Sequence, residues 1–253
     1  MSTVTTETKA KKPMREISVE GCEVLGKGGN GVVYRLDPET IVKVYFGNRN
    51  TPEKIEDYAN MIADTLKKLH STEFEPGTLP DSRDRARADI KATLDAGLYT
   101  PQEAEKLYKI VDKIPYRNTF IHQDFHPGNI MLQNGEIVLI DVEDSGLGHP
   151  VLDLSSMFLV YITAAKTQWK TTEMGITKQQ FATLWDIIVK RYFGTTDSKE
   201  IEEINRVLEG YSMIKLIRGI ATSPSVPNII RKPVSAIKKK TLLKVADTLY
   251  PVP

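Results

Sequence analysis

The stretch Ile121-His122-Gln123-Asp124-Phe125-His126-Pro127-Gly128-Asn129-Ile130, continued by Met131-Leu132-Gln133-Asn134-Gly135-Glu136-Ile137-Val138-Leu139-Ile140-Asp141, decides how this chain is read. Phe120-Ile121 and Ile130-Met131-Leu132 are short apolar runs on either side of a polar loop. Asn134-Gly135 between β-branched runs signals a two-residue hairpin turn, whose central positions need positive φ. Ile137-Val138-Leu139-Ile140 is then the returning strand, and it delivers Asp141 at its end. Two carboxylates and one amide fall at fixed offsets: Asp124 and Asn129 are five apart, and Asp141 lies twelve beyond Asn129. Any one of these residues alone reads as part of an ordinary polar turn; the three in this order on one hairpin read as a site.

The residue types suit phosphoryl transfer. That chemistry asks little covalent help of a protein and much positioning and charge neutralisation. The five-residue spacing of Asp124 and Asn129 is that of the Asp and Asn in a kinase catalytic loop. Asp124 is placed to orient an acceptor hydroxyl or amine and take its proton. Magnesium is a hard ion that takes oxygen ligands and shares them with phosphates, and Asn129 and Asp141 offer one neutral and one charged oxygen. His122, Asp124 and His126 at alternate positions also permit a transition-metal site of a hydrolase. Pro127-Gly128 stops the helix that would pair the histidines, and no cysteine or further histidine cluster supports that site. The histidines are then expected to orient the loop through hydrogen bonds.

Upstream, the run from Ile17 to Phe46 reads as three antiparallel strands. Gly26, Gly28 and Gly31 form G-x-G-x-x-G. A dinucleotide-binding fold would need a helix straight after that string, but Val32-Val33-Tyr34-Arg35-Leu36 is a strand former. The glycines therefore cap a hairpin whose N–H groups can approach phosphates, and Lys43 in the next strand is expected to reach the same phosphates. After Gly47 the apolar period becomes helical. Ile55, Tyr58, Ala59, Ile62, Leu66 and Leu69 share a face behind Thr51-Pro52, an N-cap with proline at the first helical position. Thr100-Pro101-Gln102-Glu103 is a capping box, and Ala104, Leu107, Tyr108 and Val111 form its stripe. Downstream of Pro150 the chain is mostly helical, with stripes at Phe181, Leu184, Trp185, Ile188 and Tyr192 and at Ile201, Ile204, Leu208 and Tyr211. Strands, helices, a central hairpin and more helices make an α+β fold.

Composition excludes several classes. The 253 residues are 40% hydrophobic and 26% charged with a net charge of +1, so no overall pull towards nucleic acid or membrane exists. The basic cluster Arg231-Lys232 and Lys238-Lys239-Lys240 reads as a solvated helix face. No apolar run approaches the roughly 18 residues of a membrane span; the longest, Met157 to Ala165, reads as a buried helix segment. The single Cys22 permits no internal disulfide, and the polar N-terminal residues lack the apolar core of a secretory signal, so a cytoplasmic chain is expected.

On these motifs the chain resembles the aminoglycoside and choline phosphotransferase family, within the protein-kinase-like fold. The run from Ile121 to Ile130 looks like that family's catalytic loop, and Ile140-Asp141 with Gly148-His149-Pro150 and Asp153-Leu154 is similar to its metal-binding segment. The resemblance implies ATP and magnesium, a small-molecule phosphoryl acceptor, and neither nucleic-acid nor membrane partners. It carries over Asp124 as catalytic base, Asn129 and Asp141 as magnesium ligands, and Asp153 as a brace of the loop at a helix start. His149 stands where the family often has Asp. The implied arrangement is a disordered tail over 1–13, a shortened β-rich N-lobe over 14–50 and a helical C-lobe over 51–253. The shortening is the main departure: between Gly47 and Pro115 the helix whose Glu pairs with the lysine, and the strands and hinge that cover adenine, are missing. Three strands alone bury too little core to stand by themselves. The alternative function is therefore a non-catalytic binding or scaffold relative of such kinases.

Overall fold

The structure, a computed structural model, describes residues 18–27, 31–45, 52–133, 136–166, 176–223 and 226–249. The expected N-terminal tail, Gly28, the Thr51 cap and the Asn134-Gly135 turn lie outside them.

The β-branched runs pair as their alternation requires. β1 (Glu23–Lys27), β2 (Gly31–Arg35) and β3 (Ile41–Tyr45) are antiparallel, with Val33 opposite Lys43 and Val32 opposite Lys27. Asp37 shapes the β2–β3 turn by accepting the Glu39 N–H at 2.9 Å, an Asx turn. The central hairpin is also present: β5 (Ile130–Gln133) and β6 (Glu136–Leu139), with Gln133 opposite Glu136, a register that leaves two residues for the turn. The two groups of strands then join. Lys27 of β1 pairs with Leu132 of β5, giving one five-stranded sheet in the order β3-β2-β1-β5-β6. Three strands that could not bury a face alone gain the hairpin as a continuation. β1 bulges between Val24 and Gly26 and meets the hairpin at glycine, where a Cβ would run into the Met131 methyl.

The body is helical. α1 (Pro52–Ser71) buries Ile55, Ala59, Ile62, Ala63 and Leu66, the stripe its spacing predicts. α2 (Ser82–Asp95) has no such stripe: Arg83, Asp84, Arg85, Arg87 and Lys91 crowd it, and its start is marked instead by Asp81, whose carboxylate accepts the Arg83 N–H at 2.9 Å. α3 (Pro101–Asp112) has the predicted capping box, with Thr100 accepting the Glu103 N–H at 3.2 Å and Glu103 accepting the Thr100 N–H at 2.8 Å.

β4 (Phe120–Ile121) precedes the polar loop and pairs with β7 (Gly146–Leu147), a two-residue ribbon too short to read from alternation. α4 (Val151–Phe158) is buried at all eight positions. The apolar run continues past it as a π turn over Leu159–Thr163 and a 3-10 turn over Ala164–Lys166, so the segment read as one helix changes pitch twice. α5 (Lys178–Phe193), α6 (Ser198–Thr222) and α7 (Asn228–Val245) complete the body; the predicted stripes of α5 and α6 are buried, except that Tyr192 and Ile201 lie at its margin. One contiguous core runs from α1 to α7 and the residues just after it, with Phe125 of the polar loop embedded in it. In α7 the cluster lysines are exposed or half-buried, and Lys239 pairs with Glu103 at 2.9 Å. No described helix is long and apolar enough to cross a membrane.

Candidate active site

The loop between β4 and β5 is fixed by its own histidines. The Asp124 N–H donates to His122 Nδ1 at 3.3 Å, so the proton of His122 sits on Nε2, which faces the Ile140 carbonyl at 3.2 Å. His126 repeats the device: its Nδ1 accepts the Gly128 N–H at 3.0 Å, and its Nε2 lies 3.4 Å from the Asp124 carboxylate. Both rings are thus committed to the loop, and among the described residues no group of three His, Cys, Asp or Glu side chains is placed to hold a metal. The hydrolase reading has no site to stand on there. A 3-10 turn, Pro127–Asn129, then swings Asn129 back under Asp124. The Asn129 amide donates to the Asp124 carbonyl at 3.0 Å and to its carboxylate at 3.1 Å, leaving the amide oxygen of Asn129 outside these bonds.

A second layer holds the loop from behind. Asp153, wholly buried in the first turn of α4, accepts the N–H groups of His122 (2.9 Å) and Gln123 with separate oxygens. His70 at the end of α1 stands 3.1 Å from the same carboxylate, and its other nitrogen contacts the Tyr192 hydroxyl at 2.8 Å, which ties α1, α4 and α5 to the loop. Among the described residues only Gln123 (φ 65°) and Asp141 (φ 61°) are non-glycine residues with positive φ. Each such residue costs about 1–3 kcal/mol and persists where surrounding bonds over-determine it. Gln123 shows how: besides the Asp153 bond, its carbonyl accepts from Ser156 and its amide donates to the Asp144 carbonyl.

The cation at the site comes from a residue that sequence reading did not single out. Lys215 of α6 donates to Asp124 Oδ1 (3.2 Å), the Gln123 carbonyl (2.9 Å) and Ser156 Oγ (2.9 Å). It lies 91 residues from Asp124, on a helix whose pattern reports only which face is buried. Burial would by itself raise the Asp124 carboxyl, but the His126 hydrogen bond and the Lys215 charge prevail and hold it well below the usual carboxylate range. His149 is shaped by burial alone in the main: desolvation pulls it down to about 4, and as the neutral ring it accepts the Val151 N–H at 3.1 Å, capping α4.

The remaining predicted residues are placed as follows. Asp141, exposed, follows β6 after Ile140, whose N–H donates to the Asn129 carbonyl at 3.1 Å, so Asn129 and Asp141 are neighbours through the backbone. Asp141 has no ion pair or side-chain hydrogen bond among the described residues. Gly26 ends inside β1 and Gly31 opens β2. Lys43 belongs to β3, the edge of the sheet opposite β6. Four strand spacings separate these edges, roughly 19 Å across the sheet, so the pairing itself does not bring Lys43 beside Asp141. Asp124, Asn129 and Asp141 are gathered at one edge; Lys43 is at the other.

The model of the phosphotransferase enzyme family matches residues 18–176. No curated protein matches the chain in sequence. In structure the chain is similar to the ethanolamine kinase of Plasmodium vivax, at 14% identity over 90% of this chain and 70% of that one, with a TM-score of 0.50. It is also similar to the streptomycin–ATP ternary complex of APH(2'')-IIa, at 18% identity, 88% and 78% coverage and a TM-score of 0.48. A third is the ADP–hygromycin B complex of a thermostable APH(4)-Ia mutant, at 12% identity, 89% and 79% coverage and a TM-score of 0.46. At such identities the likeness is one of fold. The matched residues take in β1–β3, the loop from His122 to Asn129, Asp141 and Asp153, and on that ground this chain belongs to the phosphotransferase enzyme family, with a protein-kinase-like fold.

Proposed function

We propose that this chain transfers the γ-phosphoryl group of ATP to a hydroxyl or amino group of a small molecule, with Asp124 as the base. The observation that carries the reading is the environment of Asp124: an ionised carboxylate touched by the Asn129 amide and the Lys215 ammonium, on a loop locked by buried Asp153. In the reaction a bond forms between the acceptor atom and the γ-phosphorus, and the bond from that phosphorus to the β,γ-bridging oxygen breaks. The acceptor proton passes to the Asp124 carboxylate and on to solvent, and ADP departs. A base this acidic fits a loose transition state, in which the proton leaves late and positioning outweighs basicity.

The donor set fits magnesium. Asn129 keeps its amide oxygen, and Asp141 offers a carboxylate that has no partner among the described residues, both suited to a hard ion. When bound, the ion would neutralise phosphate charge. Asn129 and Asp141 would hold it, while Lys215 supplies a fixed charge beside Asp124. Gly26, Gly28, Gly31 and Lys43 form the nucleotide side of the proposal. ATP as donor and a single cysteine, Cys22, fit a reaction in the cytoplasm.

Asp124→Ala tests the reading: turnover should vanish while nucleotide binding is largely kept. Full activity in that variant would remove Asp124 from the mechanism. One observation favours a second reading, a non-catalytic relative: β3 and β6 form opposite sheet edges, so Lys43 and Asp141 are not held together by strand pairing. In that case nucleotide would not bind at all, which separates the two.

A further inference from the structure

Beside Asp124 a cleft opens between α2 and α6, and its lining includes Arg85, Asp89, Asp144, Ser156, Tyr211 and Lys215. Its carboxylates are already matched. Arg85 pairs with Asp144 and stands 4.0 Å from Asp89; Arg218 stands 3.4 Å from Asp89; Lys215 holds Asp124 at 3.2 Å. Three acids, Asp89, Asp124 and Asp144, therefore face three cations, Arg85, Arg218 and Lys215, within the cleft and its wall. A cationic ligand would have to break one of these pairs and leave a buried or half-buried charge uncompensated, and an anionic one meets the same obstacle from the other side. Among the described residues Tyr211 is the one aromatic in the lining, and they form no aromatic cage for a quaternary ammonium.

What the cleft does offer is hydrogen bonding. Tyr211 is buried, and its hydroxyl has no partner among the described residues, an unmet donor and acceptor that asks for a hydroxyl from outside. Ser156 donates to the Gln123 carbonyl and receives from Lys215, so the polar wall continues from Tyr211 to the base. Ion pairs interleaved with hydroxyls present alternating donors and acceptors, which suits vicinal hydroxyl groups on a molecule with no net charge.

We propose that this cleft takes a neutral polyhydroxylated acceptor, a sugar or sugar alcohol, with Tyr211 as a specificity residue and one hydroxyl directed past Lys215 to Asp124. The acceptor label rests on the phosphotransferase reading; the ligand class rests on the cleft alone.

The test is equilibrium binding by calorimetry and saturation-transfer NMR without nucleotide. The probes are D-ribose, D-glucose and myo-inositol against kanamycin and choline, on the parent chain, Tyr211→Phe and Arg85→Gln. At least one polyol should bind the parent, and Tyr211→Phe should weaken it about tenfold, the loss of one hydrogen bond. Because that hydroxyl has no partner among the described residues, Tyr211→Phe should fold and melt like the parent. Arg85→Gln unmasks Asp144 and should shift preference towards kanamycin. Kanamycin or choline binding the parent more tightly than every polyol would overturn the ligand class and leave phosphotransfer standing. No polyol bound at tens of millimolar, or polyol binding indifferent to Tyr211→Phe, would overturn the proposal too. Polyol binding that needs Tyr211, in a chain that fails to bind magnesium-ATP, would support the cleft assignment and defeat the phosphotransferase reading.

Discussion

Asp124 is held ionised by two donors that sequence treats very differently. His126 is two residues away and visible in the motif; Lys215 is reached only through the packing of α6 against α4 and the loop. Lys215→Met should therefore raise the Asp124 pKa and move the acid limb of the pH–rate profile to higher pH. Turnover at neutral pH should fall about 10–100-fold through the lost charge-assisted bond. Lys215→Arg should restore part of both, a rescue that a purely structural residue would not show; an unmoved acid limb would detach Lys215 from Asp124. His149 gives a pH effect on stability instead. Its folded pKa lies below the ordinary value of 6.5, at about 4. Above pH 6.5 it is neutral in both states and costs nothing; as pH falls towards 4 the unfolded chain takes up a proton that the fold refuses. Stability should drop by up to roughly 3 kcal/mol across that window and no further below it on this account. His149→Asn keeps an acceptor for the Val151 N–H and removes the titration, so urea midpoints measured from pH 7 to pH 4 should lose that slope.

At the scale of elements, the hairpin β5–β6, helix α1 and the capped helix α3 were legible because their signals are local: Asn-Gly between β-branched runs, apolar residues at helical spacing, and Thr-Pro with Glu three on before α3. α2 was not, because it buries little and faces its charges to Asp112, Asp144 and solvent, which erases the period that marks a helix. The ribbon β4–β7 was invisible for its length, yet it aims the loop. Gly146 pairs with Ile121, and a Cβ there would lie 2.5 Å from the Pro80 carbonyl oxygen, a backbone atom that cannot swing aside. Gly146→Ala should push β7 and with it β4 out of place, costing about 1–3 kcal/mol and most of the turnover. A variant with parental melting temperature and activity would show that the ribbon does not position the loop.

For the molecule as a whole, the candidate site could be read from Asp124, Asn129 and Asp141, and the change from strands to helices from the pattern that follows Gly47. How the three strands stay folded could not. Sheet order is a long-range property, and only the Lys27–Leu132 pairing shows that the hairpin carrying the site also completes the sheet. That economy has a consequence: β1 lies directly beside the hairpin flanked by Asn129 and Asp141, while β3 with Lys43 stands at the far edge of the same sheet. Calorimetric titration of the full chain with magnesium-ATP, beside Asp141→Ala, is the measurement that bears on this most directly. The proposed function predicts binding that requires both magnesium and Asp141. No binding at millimolar nucleotide, or binding unchanged in Asp141→Ala, would contradict it.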